Sequence, residues 1–298
     1  DIPYTSIEFA KNNPVSLESG TSHKMQLVTG PANATDHRIK WTSSNKTAAT
    51  VDENGTVTAL RPIETVTITA VYKTNPALTC SWNLKITRTK GYITKQMLDN
   101  LDLTSIKKVM ITAHPDDETL WGGGHLIEGE YLVVCMTHGW NPKRRTAFEQ
   151  TMRTTNDKYL ILDYPDVRKT FSNGKYETDM LSTCKNAMQE DINLILSYKK
   201  WDLIATHNPF GEYGKFLHKT ISQMVTQCYN KMTNKSATLY YFGRYYNSSN
   251  KIPGEQIAPE LLAIKNSMVG RYYPTAKGAI DAFGHMIPYE NWLLPSEW

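Results

Sequence analysis

The chain has 298 residues, more than one average domain and enough for two. Its formal net charge is only +4, and no basic run is interleaved with aromatic residues, so a nucleic-acid partner is not indicated. The longest apolar run lies near Tyr131 to Met136, far short of the roughly 18 consecutive apolar residues of a membrane span, and the sequence reads as that of a soluble protein.

No signal peptide precedes the first strand, and a chain opening at Asp1 rather than methionine is expected to be processed or truncated. From Ile7 to about Thr87 short runs of β-branched residues alternate with polar ones between turn signals, the pattern of an all-β domain. Val66, Ile68, Ala70 and Tyr72 fall on one face of a strand. Asn54-Gly55, between Val51 and Val57, marks a hairpin whose turn tolerates positive φ. The residues Trp41 to Asn45, Ala49 to Val51, Gly55, Val57 and Ala59 resemble group 2 bacterial immunoglobulin-like domains of surface proteins. The glycine such domains usually carry before the next strand is missing around Pro62 to Glu64. That resemblance implies a small immunoglobulin-like β-sandwich, residues 1–90, acting as a spacer or carbohydrate-adhesive module or as a packing partner that only stabilises its neighbour, and a secreted or cell-surface location in a bacterium.

Arg88 to Tyr92 is the expected boundary, followed by a short helix near Lys95 to Leu101. Beyond it, strands at Val109 to Ala113, Tyr131 to Thr137, Leu203 to Thr206 and Thr238 to Phe242 alternate with helical stretches at Arg145 to Leu160, Thr178 to Tyr198, Leu217 to Met232 and Glu260 to Arg271. Such alternation predicts, for residues 91–298, an α/β domain with a mostly parallel sheet and flanking helices.

The chemistry gathers where the first of these strands ends, in His114, Pro115, Asp116, Asp117 and Glu118, with helix-permissive sequence from Glu118 to Gly122–Gly124. Open α/β sheets place their chemistry at the carboxyl ends of the strands. Pro115 stiffens the loop, and His114 and Asp117 both turn inward from it while Asp116 takes another heading. Imidazole and carboxylate together suit a divalent ion such as zinc. Two ligands do not make a site; His218, at the start of the helix after Leu203 to Thr206 and a glycine-rich loop, is the third. His207 reads as a hydrogen-bonding support for that shell, and His138, at the end of the second strand, either as a residue lining the site or as an ordinary loop histidine. Lys143, Arg144 and Arg145 form the one compact basic cluster, read as a solvated helix start with Arg145 as the candidate contact for an anionic substrate group.

The loop from His114 to Glu118, together with Tyr213, Gly214, Lys215 and His218, resembles the PIG-L or LmbE-like zinc-dependent de-N-acetylases, over about the last two-thirds of the chain. The first motif matches residue for residue; in the second the family's first histidine is Lys215 here. The resemblance implies a Rossmann-like fold, one zinc ion per chain held by His114, Asp117 and His218, Asp116 as general base, and Tyr213 or Lys215 assisting the oxyanion. It also implies an N-acetylglucosamine-type substrate, contacted by Asp166, with acetate and a free amine as products. A phosphoesterase is the rival enzyme, disfavoured because only one ligand set is visible where two bridged metals are usual. A non-catalytic carbohydrate-binding surface protein is the other rival, expected to have lost a ligand.

His285, Tyr289 and Trp292 form an aromatic C-terminal stretch expected to pack in the core. The four cysteines lack metal or redox spacing; Cys135 reads as core, and Cys184 and Cys228 as a possible pair. Asn-x-Ser/Thr triplets at Asn33, Asn45, Asn54, Asn234 and Asn247 would matter only in a eukaryotic secretory pathway.

Overall fold

The computed structural model describes residues 1–167, 179–233 and 235–298; Asn234 and Thr178 therefore lie outside the described residues. The chain divides into two compact units, one made of Asp1–Lys90 with a short segment ending at Asn186, the other running from Gly91 and including Ala187–Trp298. That short segment falls within the span 91–298 expected of the second domain.

The first unit contains β1 (Ser6–Phe9), β2 (Ser16–Glu18), β3 (Ser22–Lys24), β4 (Leu27–Gly30), β5 (Ile39–Ser43), β6 (Ala49–Val51), β7 (Thr56–Ala59), β8 (Ile63–Tyr72) and β9 (Thr79–Thr87). They form sheets of order β2-β9-β8-β5, β3-β7-β6 and β1-β4. Alternate side chains of a strand point to opposite faces, and Val66, Ile68, Ala70 and Tyr72 are all fully buried. The first three pack against Val57, Ala59, Leu84 and Ile86 in a β-sandwich-like core. Gly55 turns the β6–β7 hairpin with φ of +81°, and a Cβ there would lie 2.5 Å from the Trp41 ring, so both backbone and space demand glycine. Where the usual glycine is missing, the β8–β9 ladder shifts register between Ile63 and Val66.

The second unit opens with α1 (Lys95–Asn100), capped by the Thr94 side chain. It continues through β10 (Lys108–Thr112), α2 (Asp117–Glu128), β11 (Tyr131–Thr137), α3 (Pro142–Thr155), β12 (Lys158–Tyr164), the part from Ala187 of α4 (Asp179–Tyr198), β13 (Leu203–Thr206), α5 (Gly211–Gly214), α6 (Phe216–Lys231), β14 (Thr238–Tyr241) and α7 (Pro259–Phe283). The five strands are parallel, in the order β12-β11-β10-β13-β14. Helices cover a parallel sheet on both faces, so its central strands are apolar without alternation; every residue of β11 is buried.

Three elements differ from expectation. The helix expected to reach Leu160 stops at Thr155, because Asn156 takes the left-handed conformation at its end, and Lys158 to Tyr164 becomes a strand. The three glycines do not end α2 but lie inside it, with a kink at Gly122. A Cβ on Gly123 would meet the Lys265 side chain at 2.8 Å, so the absence of a side chain lets α7 approach. Finally α7 runs twelve residues past Arg271, through Pro274 to Phe283, with non-helical dihedrals at Ala276. No helix of the described residues is long and apolar enough to cross a membrane, and all four cysteines, Cys184 and Cys228 among them, are free thiols.

Candidate metal centre and its cleft

The strand order reverses between β10 and β13, and in open α/β sheets the crevice at that switch point is where ligands bind. His114 stands two residues past β10, and His207 directly follows β13. The turn between β10 and α2 is strained: Asp116 has φ of +138°, uncommon for a non-glycine residue. Glu118, fully buried, holds it there by accepting the Asp116 amide at 3.0 Å on one oxygen and the Tyr272 and Thr119 hydroxyls at 2.6 and 2.7 Å on the other. Arg144 Nη2 adds bonds of 3.1 Å to both the Pro115 carbonyl and Asp116 Oδ2.

His114, Asp117 and His218, all buried, converge. His114 Nδ1 lies 3.2 Å from Asp117 Oδ2 and 3.1 Å from His218 Nε2, and the last two atoms are 3.4 Å apart. A tetrahedral ion with ligands at about 2.0–2.1 Å has ligand-to-ligand edges of about 3.3 Å, which this triangle reproduces. The outer nitrogens are committed elsewhere. His114 Nε2 donates to Asp166 Oδ1 at 3.0 Å, and His218 Nδ1 donates to Glu212 Oε2 at 2.5 Å. Those bonds set the tautomers, leaving two imidazole lone pairs and a carboxylate oxygen facing one another. Carboxylates behind both histidines are the usual outer support of a metal site. Without a cation, a proton must relieve the crowding. Burial lowers the His114 pKa, but Asp166 and Asp117 more than reverse this and raise it to about 9; burial drives His218 down to about 4, and Asp117 is held well below the usual carboxylate range despite its burial, chiefly by His218 and His114.

His207 stacks on His218 with ring centres 3.9 Å apart and lies 3.5 Å from Asp117 Oδ2. Burial opposes its charge while Glu212 and Asp117 raise its pKa to about 9. Its Nε2 nevertheless accepts the Ala113 amide at 2.9 Å, which an imidazolium cannot do, so the hydrogen bonds specify a neutral ring with its proton on Nδ1, 3.0 Å from Glu212. Two further donor groups share a histidine with the triangle: His207, Glu212 and His218, and His114, His138 and Asp166. The first is closed by its own hydrogen bonds, and in the second His114 Nε2 is already engaged with Asp166. More than one donor grouping is therefore present, where a single set was expected.

Asp116 sits beside the triangle. Burial and the neighbouring Asp117 push its pKa up to about 7, against the opposing pull of Arg144. A cavity of about 100 Å³ opens on these groups and is also lined by Asp166, Tyr213, Lys215 and Phe283. It is smaller than the roughly 300–1,000 Å³ of pockets that hold whole drug-sized ligands, so only the reacting end of a substrate fits. Tyr213 stacks on Phe283 at 4.2 Å and meets the His218 ring edge-on at 5.5 Å. Tyr213 is 40% exposed overall, yet partial burial of its phenol and the carboxylates around it push its pKa up, so the hydroxyl stays a donor. The imidazole of His114 and the Lys215 ammonium help hold Asp166 ionised against its own burial.

Of the candidate residues, His114, Asp116, Asp117, Asp166, Tyr213 and Lys215 line this one cavity, with His218 and His207 behind it. His138 lies 3.5 Å from Asp166 Oδ2, and among the described residues neither of its ring nitrogens has a hydrogen-bond partner; burial lowers its pKa. Arg145 is elsewhere, half-exposed and paired with Glu149 on the surface of α3, while its neighbour Arg144 faces the cavity. Trp292, half-buried, packs against the core and donates its indole N–H to the Trp121 carbonyl, while His285, also half-buried, bonds the Tyr246 carbonyl through Nε2. Sequence reasoning missed Glu212, Arg144 and the role of Glu118. The one signal for Glu212 was a carboxylate inside the glycine-rich loop six residues before His218.

Residues 3–81 match the family described as Bacterial Ig-like domain (group 2). The chain is also 31% identical, over 175 residues, to an uncharacterized protein of Acanthamoeba polyphaga mimivirus, a match covering 53% of this chain and 67% of the viral one. The chain belongs to that viral protein's family. An uncharacterized protein of Clostridium acetobutylicum is 32% identical over 117 residues, 39% of this chain but only 12% of the clostridial protein. Among solved structures, a conserved protein of Thermus thermophilus aligns with 65% of this chain and 96% of its own length, at 13% identity and a TM-score of 0.47. Invasin, a bacterial integrin-binding protein, aligns with 28% of this chain and 19% of its own length, at 21% identity and a TM-score of 0.22.

Proposed function

We propose that this chain is a metal-dependent de-N-acetylase that hydrolyses the acetamide of an N-acetylglucosamine-type sugar or glycoconjugate. The reading is carried by the triangle of His114 Nδ1, Asp117 Oδ2 and His218 Nε2, three donor atoms at tetrahedral edge lengths whose outer hydrogen bonds aim them at one point. The resemblance of His114 to Glu118 to the PIG-L or LmbE-like loop supports it, and the strand order suits the Rossmann-like fold of that family. These three residues would hold zinc, which when bound supplies Lewis acidity to the amide carbonyl and the attacking water.

The chain's own residues do the remainder. Asp116, with its pKa pushed up to about 7, takes the proton of the attacking water and returns it to the departing amine. Arg144 keeps that carboxylate aimed. Lys215 and the Tyr213 hydroxyl face the oxygen that gains charge as the carbonyl is attacked. Asp166 accepts from sugar hydroxyls, and His138 backs it. The Ig-like domain supports a place at the bacterial cell surface or outside the cell.

Acetate release from a panel of N-acetylated sugars, lost with a chelator and restored by Zn²⁺, is the expected result. Metal-loaded protein that leaves every acetamide intact while cleaving phosphate esters would replace this reading with the phosphoesterase.

A further inference from the structure

Behind Tyr213, the residue that walls the catalytic cavity, a second and larger hollow of about 560 Å³ opens, also lined by Phe210, Lys219, Arg244, Tyr245 and Trp298. Tyr213 lines both spaces, so a ligand whose end enters the small cavity meets the larger hollow across a single side chain. Phe210 is 65% exposed, an unusual position for a large apolar ring, and lies 5.5 Å from the Trp298 ring. The Arg244 guanidinium sits 4.8 Å over that same Trp298 ring, and Lys219 rises from α6 on the same side. No acidic residue is paired with either cation among the described ion pairs, and Glu212, whose side chain also lines the hollow, is committed to His207 and His218.

We infer that this hollow is a subsite for an acidic residue that follows the N-acetylated sugar, so that the substrate is an acidic glycan or sugar phosphate rather than a free monosaccharide. The inference rests on the proposed deacetylation for the placing of the acetamide, and on the hollow alone for the rest. The flat aromatic faces of Phe210, Tyr245 and Trp298 offer apolar area for the carbon face of a second ring. Arg244, held over Trp298, meets a carboxylate or phosphate in forked geometry, with Lys219 adding a second charge. The narrow cavity admits only the acetamide end, which leaves the neighbouring residue to supply affinity from the hollow.

Calorimetry on metal-loaded full-length Asp116→Asn protein, whose turnover should be slower by about 10² to 10⁴, reads binding largely apart from catalysis. The probes are N-acetylglucosamine, N-acetylglucosamine 1-phosphate, neutral N,N′-diacetylchitobiose and a hyaluronan tetrasaccharide. At least one acidic probe should bind about tenfold or more tighter than N-acetylglucosamine and than the neutral disaccharide, and which one tells phosphate from carboxylate. Adding Arg244→Ala should remove most of that advantage, Arg244→Lys should restore part of it, and Phe210→Ala should weaken the tetrasaccharide more than the sugar phosphate. Acidic probes binding no tighter than N-acetylglucosamine, or an advantage untouched by Arg244→Ala, would overturn the inference. Protein that releases no acetate yet keeps the Arg244-dependent preference would remove the deacetylase reading and leave the subsite standing.

Discussion

Glu212 Oε2 accepts a proton from His218 Nδ1 at 2.5 Å and from His207 Nδ1 at 3.0 Å, so one carboxylate oxygen orients two stacked imidazoles, one of them a metal-ligand candidate. The backbone of Glu212 is held in the left-handed region, φ +53°, to bring it there. Its second oxygen accepts the Asn208 amide at 3.0 Å. A glutamine at this position cannot accept both ring protons and keep the amide bond, so the His218 tautomer that exposes Nε2 loses its support. Glu212→Gln should keep the fold and lower metal affinity by about 10- to 100-fold, measured by competition with a chromophoric chelator. Unchanged affinity would mean that Asp117 and stacking alone orient His218.

The turn at Asp116 predicts a separation of metal binding from turnover. Its carboxylate bonds Arg144 rather than any of the three donors of the triangle. Asn is among the residues that tolerate positive φ best, so Asp116→Asn should fold and bind metal at full stoichiometry while kcat falls by about 10² to 10⁴, the contribution of a positioned general base. Metal content from elemental analysis and single-turnover rates check it together; parallel loss of metal would make Asp116 a ligand.

Much of this site was legible because its parts are adjacent in the chain. His114, Asp116 and Asp117 share one turn, and their heading follows from the strand before them and the helix after. The sandwich core was legible through simple alternation from Val66 to Tyr72. What stayed hidden depends on phase or on partners distant in sequence. Arg144 and Arg145 are about 100° apart around a helix, and which one faces inward depends on where that helix starts; Asn141 starts it by capping the Lys143 and Arg144 amides. The strand from Lys158 was masked because only the left-handed Asn156 ends the preceding helix. The glycines of α2 read as a stop, whereas their reason, close approach by Lys265 and Glu290, lies about 140 or more residues away.

Asp157 carries a pH prediction remote from the site. Its side chain is buried, Oδ1 accepts the Tyr131 amide at 2.9 Å, Oδ2 has no hydrogen-bond partner among the described residues, and burial raises its pKa to about 6. A carboxyl whose pKa rises on folding contributes stability that is full below its unfolded value near 4 and is lost as pH climbs through 6. Asp157→Asn retains the acceptor and removes the buried charge, so it should stabilise the α/β unit above pH 6 by about 2 kcal/mol and have little effect near pH 4. Urea midpoints of both proteins across that range check it; a difference that does not grow with pH would show the charge to be solvated.

Lys215 and Tyr213 compete for one role, and kinetics separate them. Both line the cavity, and Lys215 stands where the resembling family carries a histidine. Tyr213 is stacked on Phe283, and partial burial of its phenol with the carboxylates around it keeps its hydroxyl protonated, so it is a neutral donor. Lys215 brings a full charge from the start of α6, and part of that charge already acts on Asp166. If the ammonium meets the developing oxyanion, the contact strengthens only as charge builds, and Lys215→Ala should lower kcat by about 10² to 10³ with little change in KM. If it serves Asp166 and the bound sugar instead, the same substitution should raise KM and spare kcat, and Tyr213→Phe should then show the loss in kcat. The expected outcome is the first, since a charged donor in a narrow cavity gains more from a developing anion than a phenol does. A Lys215→Ala enzyme with unaltered kcat beside a crippled Tyr213→Phe enzyme would assign the oxyanion to the phenol.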